Sequence, residues 1–97
     1  MERPLIVTRH PALVEYLREL APSLHEAEVR THVTEDDVRG RVVFGTLPLH
    51  LAALAEKVVV VPLNLPYELR GKELSLEQVR QYAGKLEVYV VQKEAVE

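Results

Sequence analysis

Cysteine and tryptophan are absent from the 97 residues, phenylalanine occurs once and tyrosine four times. Without cysteine there is no disulfide framework and no thiolate zinc site, and the usage fits a reducing compartment. With so few aromatic rings there is no open platform on which successive bases of a single strand would stack. Long apolar runs are missing too. The longest, Val58–Leu63, falls far short of the ~20 residues of a membrane-spanning helix, and the N-terminus shows no apolar signal region. A cytoplasmic protein without membrane contact is expected. Positive charge is not in excess either: 12 Lys and Arg stand against 15 Asp and Glu, a formal charge of −3. The surface as a whole is therefore no trap for duplex DNA, and any phosphate site must be local. Neither a Gly-x-Gly-x-x-Gly nor a Walker loop occurs, so no dinucleotide or nucleoside triphosphate site is signalled.

What is present is ordinary globular material, 47% apolar and 28% charged, long enough for one domain, expected to run over residues 1–97. Leu5–Val7 reads as a strand buried on both faces. Pro11 sits at a first helical position, with Leu13, Val14, Leu17 and Leu20 following at helical spacing. Ala27, Val29, Thr31 and Val33 alternate with charged residues as in an edge strand. Thr34 with Glu35, Asp36 and Asp37 predicts a brief helical turn before Gly40. Arg41–Phe44 reads as a strand, and Pro48 starts a helix through Leu49, Ala52, Ala53 and Glu56, with Lys57 at its C-terminal dipole. Val58–Val61 reads as a central strand.

From Pro62 to Leu74 a long loop or a loop with one helical turn is expected. Ser75 and Gln78 form a capping box for a helix that Gly84 should stop in the left-handed conformation. Leu86, Val88 and Val90 then alternate in a last strand. The sum is an α/β fold, a single small Rossmann-like domain with a mostly parallel sheet of about five strands flanked by helices. Strand order stays open, because the connection through Thr34–Gly40 suits either a short crossover or an antiparallel pair.

In such sheets, ligands lie beyond the carboxyl ends of the strands, where helix starts offer unpaired N–H groups to anions. Two turns qualify. The first is Thr8, Arg9, His10 and Pro11; the second is Gly45, Thr46, Leu47 and Pro48, with His50 just inside the next helix. Arginine offers a fixed fork for phosphate and histidine a group for proton exchange. The plainer alternatives are that Arg9 is solvated, that His10 or Thr46 caps its helix, that Gly45 relieves a bend, and that His50 lies against the sheet. Arg70, Lys72 and Glu73 form a charged cluster on a loop that would either close over this edge or stay solvated. His25 and His32, beside Glu26 and Glu28, show no metal spacing, so no metal and no cofactor is expected.

The stretches Leu5-Ile6-Val7-Thr8-Arg9-His10-Pro11, Val43-Phe44-Gly45-Thr46-Leu47-Pro48-Leu49-His50-Leu51-Ala52 and Leu69-Arg70-Gly71-Lys72-Glu73-Leu74 together resemble a family of small accessory proteins of type III CRISPR systems. Members look like reduced versions of the Rossmann-like domain that senses cyclic oligoadenylates, and the family is associated with removing or sequestering that messenger. The resemblance implies a ring nuclease, a metal-independent phosphodiesterase acting on cyclic tetra-adenylate, or a non-catalytic module that soaks up the same ring. His10 and Arg9 would be the catalytic pair. Thr8, Gly45, Thr46, Leu47, Pro48, His50, Arg70, Lys72 and Glu73 would bind the ligand, with backbone N–H groups at Thr46 and Leu47 on a phosphate. A homodimer is expected, because one chain supplies a single set of these groups to a ring with four phosphates. A structural interaction domain without a small ligand would leave both turns unexplained.

Overall fold

The computed structural model describes residues 3–96. In chain order the elements are β1 (Leu5–Val7), α1 (Pro11–Leu20), β2 (Glu28–Arg30), α2 (Glu35–Val38), β3 (Val42–Gly45), α3 (Leu49–Ala52), β4 (Lys57–Val60), α4 (Leu76–Tyr82) and β5 (Glu87–Tyr89). Single 3-10 turns occupy Pro22–Glu26 and Tyr67–Leu69. The five strands lie in the order β2-β1-β3-β4-β5. The first four run parallel, and β5 runs antiparallel to β4. Among the described residues no helix is long and apolar enough to cross a membrane.

Alternation along each strand sends successive side chains to opposite faces and so divides the core in two. On one face Ile6 packs with Leu13, Leu17, Leu24, Leu74 and Val79, flanked by Phe44, Val61 and Leu63. On the other, Leu5, Val43 and Val58 pack with Val38, Leu51, Ala52 and Ala55. Helices α1 and α4 thus cover the first face, and α2 and α3 the second. Burying each Leu or Ile of this set stabilises the fold by roughly 1.5–3 kcal/mol.

Helix α1 follows its predicted stripe through Leu13, Val14 and Leu17, which are buried, whereas Leu20 at its end is exposed. An ion pair from Arg80 to Glu19 joins α4 to α1. The brief helix α2 is fixed by Asp37, whose carboxylate accepts from the Thr34 N–H at 2.7 Å and from the Thr34 hydroxyl at 3.1 Å. This turn places Val38 in the second core. It also answers the open question of connection: residues 31–41 carry the chain past β1, from one of its neighbours to the other.

The structure departs from the sequence expectations in five places. Strand β2 is confined to Glu28–Arg30, because the ladder to β1 ends where the Thr8 N–H donates to the Arg30 carbonyl, and Thr31 leaves the sheet. Helix α3 is a single turn rather than a run to Glu56. The Leu54 carbonyl accepts from Gly40 and the Glu56 N–H donates to Arg41, so these groups tie the chain down instead of extending the helix, and Lys57 begins β4. Gly84 is not left-handed. It is small because a Cβ there would lie 3.1 Å from the Pro62 ring, while its N–H donates to the Pro62 carbonyl. Strand β5 covers Glu87–Tyr89 rather than the whole alternation from Leu86 to Val90, with Val88 60% exposed on it and Val90 77% exposed beyond its end.

Arg41 precedes β3 instead of belonging to it and works as a clip. Its guanidinium donates to the Arg3 carbonyl at 2.8 and 3.0 Å, to Glu28 at 3.2 Å and to the Asp37 carbonyl at 3.3 Å. The start of β1, the start of β2 and the end of α2 are gathered around one cation.

Gly45 lies against the backbone of the neighbouring strand β1. Its φ is +137°, and a Cβ would overlap the Val7 carbonyl oxygen of the neighbouring strand. Gly45→Ala is therefore expected to destabilise the protein by more than ~2 kcal/mol, read as a lower urea midpoint. Gly71→Ala, where a Cβ meets open space, should cost less, and equal midpoints for the two variants would contradict the packing argument.

Candidate functional site

Strand order decides where a site can form. The chain winds outward from β1 to β2, returns across β1 and then proceeds from β3 to β4, so the winding reverses between β1 and β3. Neighbouring connections leave from there in opposite directions and open a crevice at the carboxyl ends of the two strands. The turns after β1 and β3 meet in that crevice. A cavity of about 410 Å³ fills it, lined by Val7, Thr8, Arg9, His10 and Leu13 from the first segment, Gly45 and Thr46 from the second, and Thr31, Val61 and Leu63 from the flanks.

Each side chain is placed by local structure. The Thr8 N–H continues the sheet ladder to Arg30, and its hydroxyl accepts from the His10 N–H at 3.1 Å, folding the turn back on itself. His10 then occupies the N-cap position of α1 with extended backbone, and its carbonyl accepts from Leu13 and Val14. Its imidazole makes no capping bond, so His10 is the cap of α1 by backbone position alone. Pro11 supplies the first helical residue, where a missing N–H costs nothing. Gly45 lets β3 close on Val7 and so brings Thr46 beside Thr8. Thr46, in contrast, is not a cap, since Pro48 is the N-cap of α3.

The lining carries one guanidinium, one imidazole and three threonine hydroxyls, and no carboxylate. Arg9 forms no ion pair among the described residues. The carboxylates of the neighbouring edge are committed elsewhere. Glu28 is held below the usual carboxylate range chiefly by its hydrogen bond from Arg30, which outweighs desolvation, with Arg41 adding to it. Asp37 is lowered mainly by the Thr34 N–H, then by the Thr34 hydroxyl and the charge of Arg30. Arg30 is thereby spent on Glu28 and Asp37, and Arg9, which is exposed, lines the crevice without an ion pair among the described residues. The arrangement suits an anion: a guanidinium fork for phosphate oxygens, hydroxyls that donate or accept, and an imidazole able to move a proton.

Of the residues singled out in the sequence, Thr8, Arg9, His10, Gly45 and Thr46 converge on the cavity. The others do not line it. Leu47 turns into the second core, and Pro48 is exposed at the start of α3. His50 is exposed and borders a separate hollow with Leu49, Ala53, Val91, Gln92 and Lys93. Arg70, Lys72 and Glu73 are exposed on the loop after Tyr67–Leu69, whose base is anchored by Leu69 and Leu74 in the first core. None of the three forms an ion pair among the described residues. The sequence reading missed Thr31, Leu13, Val61 and Leu63. Thr31 was legible only as one position of an alternating strand, and its place at the crevice follows from β2 pairing with β1. Among the described residues no group of three or more His, Asp or Glu side chains is placed to hold a metal ion.

Compared with known proteins, residues 5–92 match the model of a family described as "Putative CRISPR-associated protein (Cas_VVA1548)". Neither the curated proteins nor the solved structures gave a match.

If the crevice is an anion site, Arg9→Ala should weaken pyrophosphate binding by about 1.5–3 kcal/mol, with a smaller loss at high salt. Lys72→Ala, outside the cavity, should leave it unchanged. Calorimetry at two salt concentrations checks both, and wild-type affinity in Arg9→Ala would remove the guanidinium from the site.

Proposed function

The chain belongs to the Cas_VVA1548 family of CRISPR-associated proteins, and from that premise we propose that it is a metal-independent ring nuclease that binds and opens cyclic tetra-adenylate in type III CRISPR signalling. The observation that carries this reading is the convergence of Arg9 and His10 with Gly45 and Thr46 at the carboxyl ends of β1 and β3, in a cavity without a carboxylate. The ring itself comes from the resemblance of the three sequence stretches, and the cavity's chemistry agrees with it.

The reaction needs little beyond placement. A ribose 2′-hydroxyl attacks the adjacent phosphorus in line, the bond to the 5′-oxygen breaks, and the products are a 2′,3′-cyclic phosphate and a 5′-hydroxyl. The hydroxyl proton leaves the nucleophile, and one is returned to the 5′-oxygen. Arg9 neutralises charge that gathers on the phosphate oxygens, and His10 takes part in proton transfer. Thr8 and Thr46 position the phosphate by their hydroxyls, and the close backbone approach of Gly45 to Val7 holds the two turns together. Leu47, Pro48, His50, Arg70, Lys72 and Glu73 then act from outside the cavity of one chain, where a ring too large for it would extend.

A homodimer completes this reading. One chain offers Arg9 and His10 once, whereas a two-fold arrangement of chains doubles them and matches a ring of four phosphates. Exposed Val88 on β5, Val90 just beyond it and Leu49 at the start of α3 supply apolar surface for such contact. Light scattering should return twice the 11.0 kDa of the chain, with one ring bound per two chains. A monomer that binds one ring per chain with full activity removes the dimer from the scheme.

The second reading is sequestration without cleavage. It is favoured by one observation, that among the described residues no hydrogen bond orients the exposed His10 imidazole. EDTA-treated protein incubated with cyclic tetra-adenylate separates the two. Linear product ending in a 2′,3′-cyclic phosphate supports the enzyme, and ring that is bound but intact supports the sponge. Ring neither bound nor cut rejects both. For the enzyme, His10→Ala should slow single-turnover cleavage by ~10²–10⁴-fold while ring affinity is kept. Unchanged cleavage would exclude His10 from the chemistry.

A further inference from the structure

A second hollow, about 430 Å³, lies between α1 and β2 and shares Thr8, Arg9 and Thr31 with the first. The shared residues make a polar ridge of one guanidinium and two hydroxyls. Apolar surface falls away on both sides of it: Leu13, Val61 and Leu63 on one, Pro11, Val14 and Val29 on the other. An anionic link flanked by two flat, largely apolar groups fits that relief, which is the layout of a phosphodiester between two nucleosides. Each hollow lies within the ~300–1,000 Å³ usual for small-ligand sites.

The far rim of the second hollow is formed by Glu15 and Arg18, three residues apart on α1 and so on one face of the helix. Arg18 is anchored by its Nε, which donates to the Leu24 carbonyl at 3.3 Å, and this holds a cation at the rim. An ionised carboxylate only accepts hydrogen bonds and a guanidinium only donates them. Adenine presents that complement along one edge, an N6 amino donor beside the N7 acceptor, whereas guanine presents two acceptors there.

We infer that the groove between α1 and β2 is a second base subsite: one chain takes two successive nucleotides, their phosphodiester on the Thr8–Arg9–Thr31 ridge and one adenine between Val14 and Val29, read by Glu15 and Arg18. The inference rests on the proposed adenylate ligand and deepens it by assigning where a second base of the ring sits. Linear probes test it without any ring or any cleavage. Calorimetry should show the dinucleotide ApA binding at least about tenfold tighter than AMP, equivalent to ~1.4 kcal/mol. Val29→Gln, uncharged and on an edge strand where Val29 is 42% exposed, should abolish that gain and leave AMP binding unchanged. Glu15→Ala, on the exposed face of α1, should abolish a preference for ApA over the dinucleotides in which inosine, with a 6-keto group, replaces either adenosine. Equal binding of AMP and ApA, no binding of ApA, or a gain and preference that survive both variants overturns the subsite. A protein that shows the ApA gain and its loss in Val29→Gln but neither binds nor cuts cyclic tetra-adenylate keeps the subsite and loses the ring.

Discussion

The close approach of β3 to the end of β1 is the constraint on which the site depends. Parallel pairing of Leu5 with Val43, Ile6 with Phe44 and Val7 with Gly45 runs to the last residue of β1, and it does so only because position 45 has no side chain. Were the strands to splay there, Thr46 would leave Thr8 and the crevice would open into a flat edge. A backbone contact between two three- to four-residue strands thus sets the distance between the two turns that carry the polar groups. The same contact places both turns at the reversal of winding, where an α/β sheet leaves space for a ligand.

Charge is distributed by the same geometry. At the opposite ends of β1 and β3, Arg41 gathers the Arg3 and Asp37 carbonyls and the Glu28 carboxylate, with its side chain 10% exposed. Arg30 is taken up by Glu28 and Asp37. These cations are satisfied by the fold, and their partners are the carboxylates that would otherwise repel an anion from the sheet. Arg9 is left uncommitted at the crevice. An acidic protein, with a formal charge of −3, can therefore hold a locally positive cavity, because its negative charge is paired or lies elsewhere.

Much of the fold was legible in local chemistry. The Ser75–Gln78 capping box, the Thr34 start, Pro11 at the head of α1 and the β-branched run of β4 all formed where their residue types favour them. Errors fell where a partner outside the segment decides. Helix α3 stops after one turn because Gly40 and Arg41 claim its following backbone groups. Strand β5 is shorter than its alternation suggested, Glu87–Tyr89, because pairing with β4 and not the pattern itself sets its ends. At the site, Thr8, Arg9, His10, Gly45 and Thr46 were found from strand-end turns, while Thr31 follows β2 and Val61 and Leu63 follow β4, strands whose adjacency no local pattern encodes.

The sequence by itself determined the alternating strands and helices, the two polar turns, the lack of a metal-ligand spacing and the likeness to a CRISPR-associated family, since propensity, capping and motif are properties of neighbours along the chain. Tertiary structure alone decided that β1 lies between β2 and β3, that the two turns share one cavity, and that His50, Arg70, Lys72 and Glu73 stand outside it. Strand order is settled by which apolar faces can be buried together and by the close contact at Gly45. Those are interactions between residues about forty apart, and no periodicity within a segment records them.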